Sequence, residues 1–279
     1  MPDSRDPGNL MVKSYIERAD ALAARTSFPA LAQWVIDQGV AIQQIPAPTF
    51  QEARRAAHVA EQFRQLKLAQ VESDDVANVY GLMPGARDDI PGILISAHTD
   101  TIFGEDADLT TRTGDGVLYG PGLGDNSMGV AGMLGLARSL RQLQIMPACN
   151  LWFAATTREE GLGDLGGMKA AFARLKNDVA SVINLEGLAF GHVYHAGIAV
   201  RRLHVSATTP GGHSWLHYGR PSAVHSILDL GARLIRLQPP QTPRTTYNIG
   251  MVEGGDAINA IASRASLWLD MRSEERAAL

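Results

Sequence analysis

The chain has 279 residues, a formal net charge of −4 and a single cysteine, Cys149. Hydrophobic residues make up 45% and charged residues 19% of the sequence, which is typical of a globular protein and argues against a disordered chain or a fibrous repeat. The charge shows no basic excess of the kind that nucleic-acid binding requires, so no nucleic-acid partner is expected. A lone cysteine can form neither an intrachain disulfide nor a thiolate cluster, so any metal must be held by histidine and carboxylate side chains.

The sequence contains no segment typical of membrane or secreted proteins. Residues 1–14 lack the apolar core of a signal peptide, and no later run approaches the roughly 20 apolar residues that span a bilayer. We therefore expect no membrane partner and a cytoplasmic location.

Helical and strand patterns alternate through the first part of the chain. Apolar spacing predicts a helix in LAQWVIDQGVAIQQI and an amphipathic helix after APTF, with Thr49 as N-cap and Glu52 completing a capping box. Strands are predicted in VANVYGLM, GILISAHTD, CNLWFAATT and ASVINLEGL, the last three as buried strands with polar ends, and a helix in VAGMLGLARSLRQL. This order predicts an α/β fold whose site lies at the carboxyl edge of the sheet.

From about Gly197 the pattern changes. Alternating segments predict strands in IAVRRLHVSATT, TTYNIGMVEG and SRASLWLDMR, with a helix in SAVHSILDLGARLIRL between the first two. We therefore predict two domains, residues 1–196 and a smaller α+β domain of residues 197–279.

Histidine and carboxylate side chains follow the predicted strands and the glycine-rich loop of the first domain. Asp100 stands two residues after His98, near enough to orient its imidazole ring. The adjacent carboxylates of Glu159 and Glu160 repel each other. Glu186 closes an apolar run, in which an unpaired charge would be expensive to bury. A bound cation would account for both features. The set comprises His98, Asp100, Asp125, Glu159, Glu160 and Glu186.

Each position taken singly also has an ordinary structural explanation. A lone His98 could be a hydrogen-bonded, half-buried side chain, and Asp125 could stabilise a turn. The adjacent glutamates could form a solvated loop, and Arg158 or Arg201 could pair with Glu186. Taken together the positions favour a metal centre, because all these explanations would have to hold at once.

The ordered set His-x-Asp, Asp, Glu-Glu, Glu resembles the co-catalytic di-zinc peptidases and deacylases, a family that includes carboxypeptidase G, acetylornithine deacetylase, succinyl-diaminopimelate desuccinylase and peptidase T. The resemblance covers roughly residues 45–275. It implies a zinc-exopeptidase-like catalytic domain with a mixed sheet flanked by helices, and an inserted α+β lid or dimerisation domain.

The resemblance also implies the metal ligands. Asp125 would bridge two zinc ions, His98 and Glu186 would complete one zinc site, and Glu160 would bind the other zinc. Two zinc ions per complete subunit are expected, with cobalt or manganese as possible replacements.

Catalytic and substrate-binding roles follow from the same resemblance. Glu159 would be the general base, taking a proton from a metal-bridging water that attacks an amide carbonyl, while Asp100 would support His98. In the PGGHS string, His213 would reach into the active site of a partner subunit and stabilise the oxyanion, which implies a homodimer formed through the lid domain. Asn259 and Arg272 match positions that hold a substrate carboxylate or the scissile carbonyl.

The chain departs from the family pattern at its end. The family has a last zinc ligand, a histidine, after the lid, whereas this sequence has no histidine after His225. The resemblance therefore implies a fragment that lacks the last lid elements and the closing segment of the catalytic sheet. The zinc held by Asp125 and Glu160 would then have too few protein ligands, which could leave the chain inactive.

The predicted function is metal-dependent hydrolysis of a peptide or N-acyl amide bond, of carboxypeptidase or N-acyl-amino-acid deacylase type. Its substrate would be a small peptide or an N-acyl amino acid. An aminopeptidase of the tripeptidase kind is the alternative within the same chemistry. A non-catalytic module that retains the fold is the alternative from a different class.

Overall fold

The computed structural model describes residues 17–18, 28–187 and 191–279. The chain divides into two compact units, Met1–Gly191 and His192–Leu279. Among the helices of the described residues, none combines the length and the apolar composition needed to cross a membrane.

The first unit is built on a five-stranded mixed sheet. The elements of the unit in chain order are α1 (Phe28–Gln43), α2 (Ala53–Gln65), β1 (Ala69–Ser73), β2 (Val79–Met83), β3 (Gly92–His98), β4 (Arg112–Gly114), β5 (Val117–Tyr119), α3 (Met128–Gln142), β6 (Leu151–Thr156), α4 (Gly166–Leu175) and β7 (Val179–Asn184). The strand order of the sheet is β1-β2-β6-β3-β7, in which β6, β3 and β7 run parallel and β1 and β2 are antiparallel to their neighbours.

Helices cover both faces of this sheet, because successive residues of a strand point to opposite sides. On one face Ile95 of β3 packs in a buried cluster with Phe63 of α2 and Leu134 of α3. On the other face its neighbour Leu94 lies in a second cluster with Leu175 of α4. The predicted mixed sheet flanked by helices is confirmed.

Strand β7 was predicted to be buried, but the structure shows it to be partly exposed. Val182 is 43% and Ile183 50% exposed, and within the described residues β7 pairs only with β3. The side chain of Glu186, which follows β7, is likewise 43% exposed. The sequence correctly predicted this carboxylate at a strand end. The expectation that its charge is buried was wrong.

The predicted capping box at the start of α2 is also wrong. Glu52 stands at the N-cap without a side-chain cap bond. Instead, its Oε1 accepts hydrogen bonds from the backbone amides of Phe50 and Arg158, both at 3.0 Å. The Thr49 hydroxyl donates to Asp100 Oδ2 at 3.0 Å. Both side chains therefore tie the segment before α2 to the residues that follow β3 and β6.

The second unit is an α+β arrangement of one helix on a three-stranded antiparallel sheet. Its elements are β8 (Ala199–Thr208), β9 (Gly212–His213), α5 (Ala223–Leu234), β10 (Thr245–Gly254), β11 (Ala260–Ile261) and β12 (Arg264–Ser273). The strand order of the sheet is β10-β12-β8, and β9 forms a short separate pair with β11. Ile227 of α5 packs with Leu267 and Leu269 of β12 in a buried cluster.

Candidate metal centre

The carboxyl ends of the parallel strands β3, β6 and β7 bring the predicted ligands to one edge of the sheet. His98 is the last residue of β3, and the adjacent glutamates of TTREEG follow β6. Glu186 lies two residues after β7, and Asp125 lies in the turn Leu123–Ser127 that leads into α3. Parallel strands place these ends side by side, as the sequence predicted.

The ligand atoms converge on one point. His98 Nε2 lies 2.9 Å from Asp125 Oδ1 and 3.5 Å from Glu186 Oε2. One ligand atom from each of His98, Asp125 and Glu160 lies within 4.8 Å of the others. His98 is buried, whereas Asp125 and Glu186 are partly exposed, so the cluster is accessible from its carboxylate side.

The His98 ring is oriented by Asp100. Its Nδ1 lies 3.1 Å from the Asp100 backbone carbonyl and 3.5 Å from Asp100 Oδ1. Both of these oxygens are acceptors, so Nδ1 carries a hydrogen and Nε2 faces the other carboxylates. Nε2 is therefore the nitrogen available to bind a metal, and the hydrogen-bonded Nδ1 is the arrangement usual for metal-bound histidine.

Asp100 also connects two strand ends. Its carboxylate is fully buried and accepts hydrogen bonds from the backbone amides of Glu159 and Glu160, each at 2.9 Å. Burial alone would raise the pKa of Asp100, but the hydrogen bonds from His98 and from these two amides hold the pKa below its ordinary value. Asp100 is thus a buried anion that fixes the loop after β6 against the end of β3.

The charge balance of the cluster fits a bound cation. Burial lowers the pKa of His98, but hydrogen bonds to Asp100, Asp125 and Glu186 outweigh it and raise the pKa to about 12. Burial, followed by the charges of nearby carboxylates, raises the pKa of Glu160 to about 7. Protons thus supply the positive charge that this carboxylate-rich site requires. A divalent cation would take over that role, and imidazole with carboxylates is a ligand set that suits zinc and similar metals.

The two adjacent glutamates occupy different positions. The ligand cluster includes Glu160 but not Glu159. Burial raises the pKa of Glu159; the His98 charge opposes this rise, and the charges of the surrounding carboxylates reinforce it. Glu159 therefore lies near the cluster, but it is not one of the three residues whose ligand atoms converge.

A relay of two side chains orients Glu186, and the sequence did not indicate it. The Ser96 hydroxyl, buried in β3, donates to Asn184 Oδ1 at 2.8 Å. Because that oxygen is engaged, the Asn184 amide nitrogen faces Glu186 and donates to its Oε1 at 2.9 Å. The other oxygen, Oε2, is left directed toward His98.

We expect Asn184→Ala to weaken zinc binding by about tenfold, because loss of a residue that orients a ligand typically costs 10-fold to 100-fold in affinity. Isothermal titration calorimetry with zinc would measure the change. Ser181→Ala is the matched control, since Ser181 is an exposed residue of the same strand. An unchanged affinity in Asn184→Ala would show that the relay does not support the site.

The loops that carry Asp125 and Glu186 are locked together. The buried Asn126 donates from Nδ2 to the Leu185 carbonyl at 2.8 Å. Gly187 packs so closely against the Gly124 carbonyl that a side chain at this position would collide with it. A glycine is therefore needed beside Glu186, and the two carboxylates are held at a set separation.

The remaining predicted site residues lie in the second unit. His213 of β9 pairs with Ala260 of β11, and the Asn259 carbonyl accepts a hydrogen bond from the Ser214 amide at 3.0 Å, so His213 and Asn259 are close neighbours. Arg272 lies on β12, where its Nε donates to Asp270 Oδ1 at 2.8 Å. Their predicted roles in substrate binding stay predictions.

Two family matches cover most of the chain. Residues 78–201 match peptidase family M28, and residues 187–279 match a peptidase dimerisation domain. No curated protein sequence matches the chain.

Solved structures share the fold. A tripeptidase from Staphylococcus aureus has a TM-score of 0.61 at 21% identity, covering 88% of this chain and 67% of that one. YXEP of Bacillus subtilis, described as a dinuclear metal-binding peptidase of the M20 family, has a TM-score of 0.57 at 16% identity, covering 90% and 66%. The dipeptidase Dug1p of Saccharomyces cerevisiae has a TM-score of 0.64 at 12% identity, covering 88% and 70%.

These matches confirm the predicted resemblance to peptidases with a dimerisation domain, and they confirm the predicted fold. The chain spans about two thirds of the length of each of these solved chains. Sequence identities of 12 to 21% establish a shared fold rather than a shared substrate.

Proposed function

We propose that this chain, which joins a peptidase-family segment to a peptidase dimerisation domain, is a metal-dependent amide hydrolase. The observation that carries the proposal is the convergence of ligand atoms from His98, Asp125 and Glu160 within 4.8 Å of one another. These residues come from three separate segments of the chain, and each segment is supported by further hydrogen bonds or close packing.

The metal would be held by His98, Asp125, Glu160 and Glu186. We propose zinc as the metal, two ions per complete subunit, with cobalt or manganese able to replace it, because imidazole and carboxylate ligands suit all three. When bound, the ions would act as Lewis acids toward the scissile carbonyl.

Glu159 would act as the general base. Its position beside the ligand cluster leaves its carboxylate available, and burial raises its pKa toward the range in which a base both accepts and returns a proton. It would take a proton from the attacking water and deliver it to the nitrogen of the leaving group. Asp100 supports this role, because it anchors the Glu159 backbone amide at 2.9 Å.

His213 would stabilise the oxyanion within a homodimer formed through residues 187–279. Its Nδ1 accepts a hydrogen bond from the Trp215 amide at 3.2 Å. In a neutral ring the hydrogen must then be on Nε2, which makes Nε2 a donor suited to a developing negative charge. The match to a dimerisation domain supports the proposed assembly.

A cytoplasmic location stays a prediction.

The substrate would be a small peptide or an N-acyl amino acid. Arg272 supports recognition of a substrate carboxylate, although part of its guanidinium is engaged by Asp270. A tripeptidase-like aminopeptidase is the second candidate, favoured by the names of the tripeptidase and dipeptidase that share the fold.

A substrate comparison tests the proposal. The zinc-loaded chain would be assayed against an N-acetyl amino acid, an N-acetyl dipeptide, a free dipeptide and a free tripeptide of the same side chains. Cleavage of the acylated compounds supports the deacylase or carboxypeptidase type, and cleavage of free-amino peptides alone supports the aminopeptidase. If no amide is cleaved faster than by the Glu159→Gln variant, the proposed activity is wrong and a non-catalytic module becomes the better description.

A further inference from the structure

Arg55, in the first turn of α2, is a buried cation that the hydrolytic roles described above do not use. Its side chain is 1% exposed, and it is the largest of the fully buried side chains among the described residues. A charged group is costly to bury unless its hydrogen-bonding capacity is satisfied. Its neighbour Arg54 is exposed and pairs at the surface with Glu105. Two adjacent arginines thus have opposite environments.

The guanidinium of Arg55 binds backbone carbonyls from two separate segments. Nε and Nη2 donate to the Ile45 carbonyl at 2.9 and 2.6 Å, and Nη2 also reaches the Gln43 carbonyl at 3.4 Å. Nη1 donates to the Thr99 carbonyl at 2.7 Å. The rigid planar fork of arginine therefore joins the end of α1 to the residue that follows β3.

The Thr99 carbonyl belongs to the segment that sets the directions of two side chains of the candidate metal centre. Thr99 lies between His98, which offers Nε2 to the cluster, and Asp100, which orients the His98 ring. On its other side, the Thr99 amide donates to the Thr156 carbonyl of β6 at 2.7 Å. A rotation of the peptide after Thr99 would therefore turn the Asp100 carboxylate away from the His98 ring and from the amides that follow β6.

The charge of Arg55 is matched to Asp100. Burial lowers the pKa of Arg55 to about 10, and the negative charge of Asp100 opposes this fall. Arg55 is therefore protonated at neutral pH, so that a buried cation interacts with the buried anion Asp100. Within the described residues, its hydrogen bonds go to backbone carbonyls and none goes to a carboxylate, so Asp100 acts on Arg55 through its charge rather than through a hydrogen bond.

We propose that Arg55 is a positioning residue of the metal centre, which holds the Thr99 carbonyl so that His98 and Asp100 keep the directions needed to bind a cation. The inference rests on the metal centre of the proposed function. Among the described residues, Arg55 makes no hydrogen bond to the atoms of His98, Asp125 or Glu160 that would bind the metal.

Three variants test this role. Arg55→Met removes the charge and the fork at similar length, and Arg55→Lys keeps the charge but replaces the planar fork with a single ammonium group. Arg54→Met is the matched control. Zinc affinity would be measured by calorimetry under conditions where circular dichroism shows each variant to be folded, and amide hydrogen exchange would be followed at Thr99 and Thr101.

We expect Arg55→Met to bind zinc about 10-fold to 100-fold more weakly than the original chain, which is the usual loss when a residue that supports a ligand is removed. Exchange at the Thr99 and Thr101 amides should become faster. Arg55→Lys should change both quantities in the same direction by a smaller amount, and Arg54→Met should change neither. A role limited to stability would alter the unfolding transition but leave the zinc affinity of the folded protein unchanged.

Wild-type affinity and wild-type exchange in folded Arg55→Met would overturn the inference. If Arg55→Met does not fold, Arg55→Lys decides by the same two criteria. If the original chain binds no divalent cation, the proposed function fails, but the exchange measurement still tests Arg55, since unchanged exchange at Thr99 and Thr101 would rule out its positioning role.

Discussion

Replacement of Glu159 by glutamine is expected to slow amide hydrolysis by about 10²-fold to 10⁴-fold, the usual contribution of a general base. Glutamine has nearly the same shape as glutamate but cannot accept a proton from the attacking water. Because Glu159 lies outside the ligand cluster, zinc affinity should remain close to that of the original chain. Steady-state kinetics combined with zinc calorimetry would measure the two effects separately.

Glu160→Gln is the control for this prediction, because it changes the adjacent residue in the same way. Its oxygen belongs to the ligand cluster, so this variant should lose zinc affinity as well as activity. The assignment of roles would be wrong if Glu159→Gln lost zinc while Glu160→Gln kept it. It would also be wrong if Glu159→Gln hydrolysed amides at the original rate.

Replacement of Asp125 by alanine is expected to have the largest effect on metal binding. Asp125 Oδ1 lies 2.9 Å from His98 Nε2, and Asp125 is also a neighbour of Glu160 in the cluster. The loss of zinc affinity should exceed the roughly 10-fold to 100-fold change expected when only a supporting residue is removed.

Asp106→Ala serves as the control for the Asp125 variant, because Asp106 is an exposed aspartate of the same unit. Competition with a chelator of known affinity would extend the measurement to tight binding. If Asp125→Ala and Asp106→Ala bound zinc equally well, Asp125 would not be a ligand.

The grouping of the candidate site residues could be predicted because their signal is local. His98 ends a buried apolar strand, and the carboxylates of TTREEG follow another. A polar side chain at such a position is visible in a few consecutive letters, and parallel strands then bring these ends together. The fold class was predictable for the same reason, since it follows from the order of strand and helix patterns.

The supporting residues could not be predicted, because their contacts join distant parts of the chain. The Ser96 hydroxyl reaches Asn184 across 88 positions, and Arg55 reaches Thr99 across 44 positions. Thr49 matched a helix cap by its spacing, but the structure shows that its hydroxyl binds Asp100 instead. Spacing alone cannot choose between a local and a distant partner that compete for one hydroxyl group.

The exposure of β7 was missed for a related reason. Its sequence is as apolar as that of a central strand, yet its burial depends on the strand order of the sheet. Within the described residues it has a single neighbour, β3, which leaves Val182 and Ile183 partly exposed. An apolar pattern identifies a strand but not its place in the sheet.

Anomalous X-ray scattering at the zinc absorption edge, from crystals of the chain grown with zinc, tests the metal centre most directly. We predict a strong peak within coordination distance of His98 Nε2, Asp125 and Glu160, with the Asp100 carboxylate beside the opposite nitrogen of the His98 ring. A zinc-saturated crystal with no peak at this cluster, or with zinc only at other residues, would contradict the proposed metal centre.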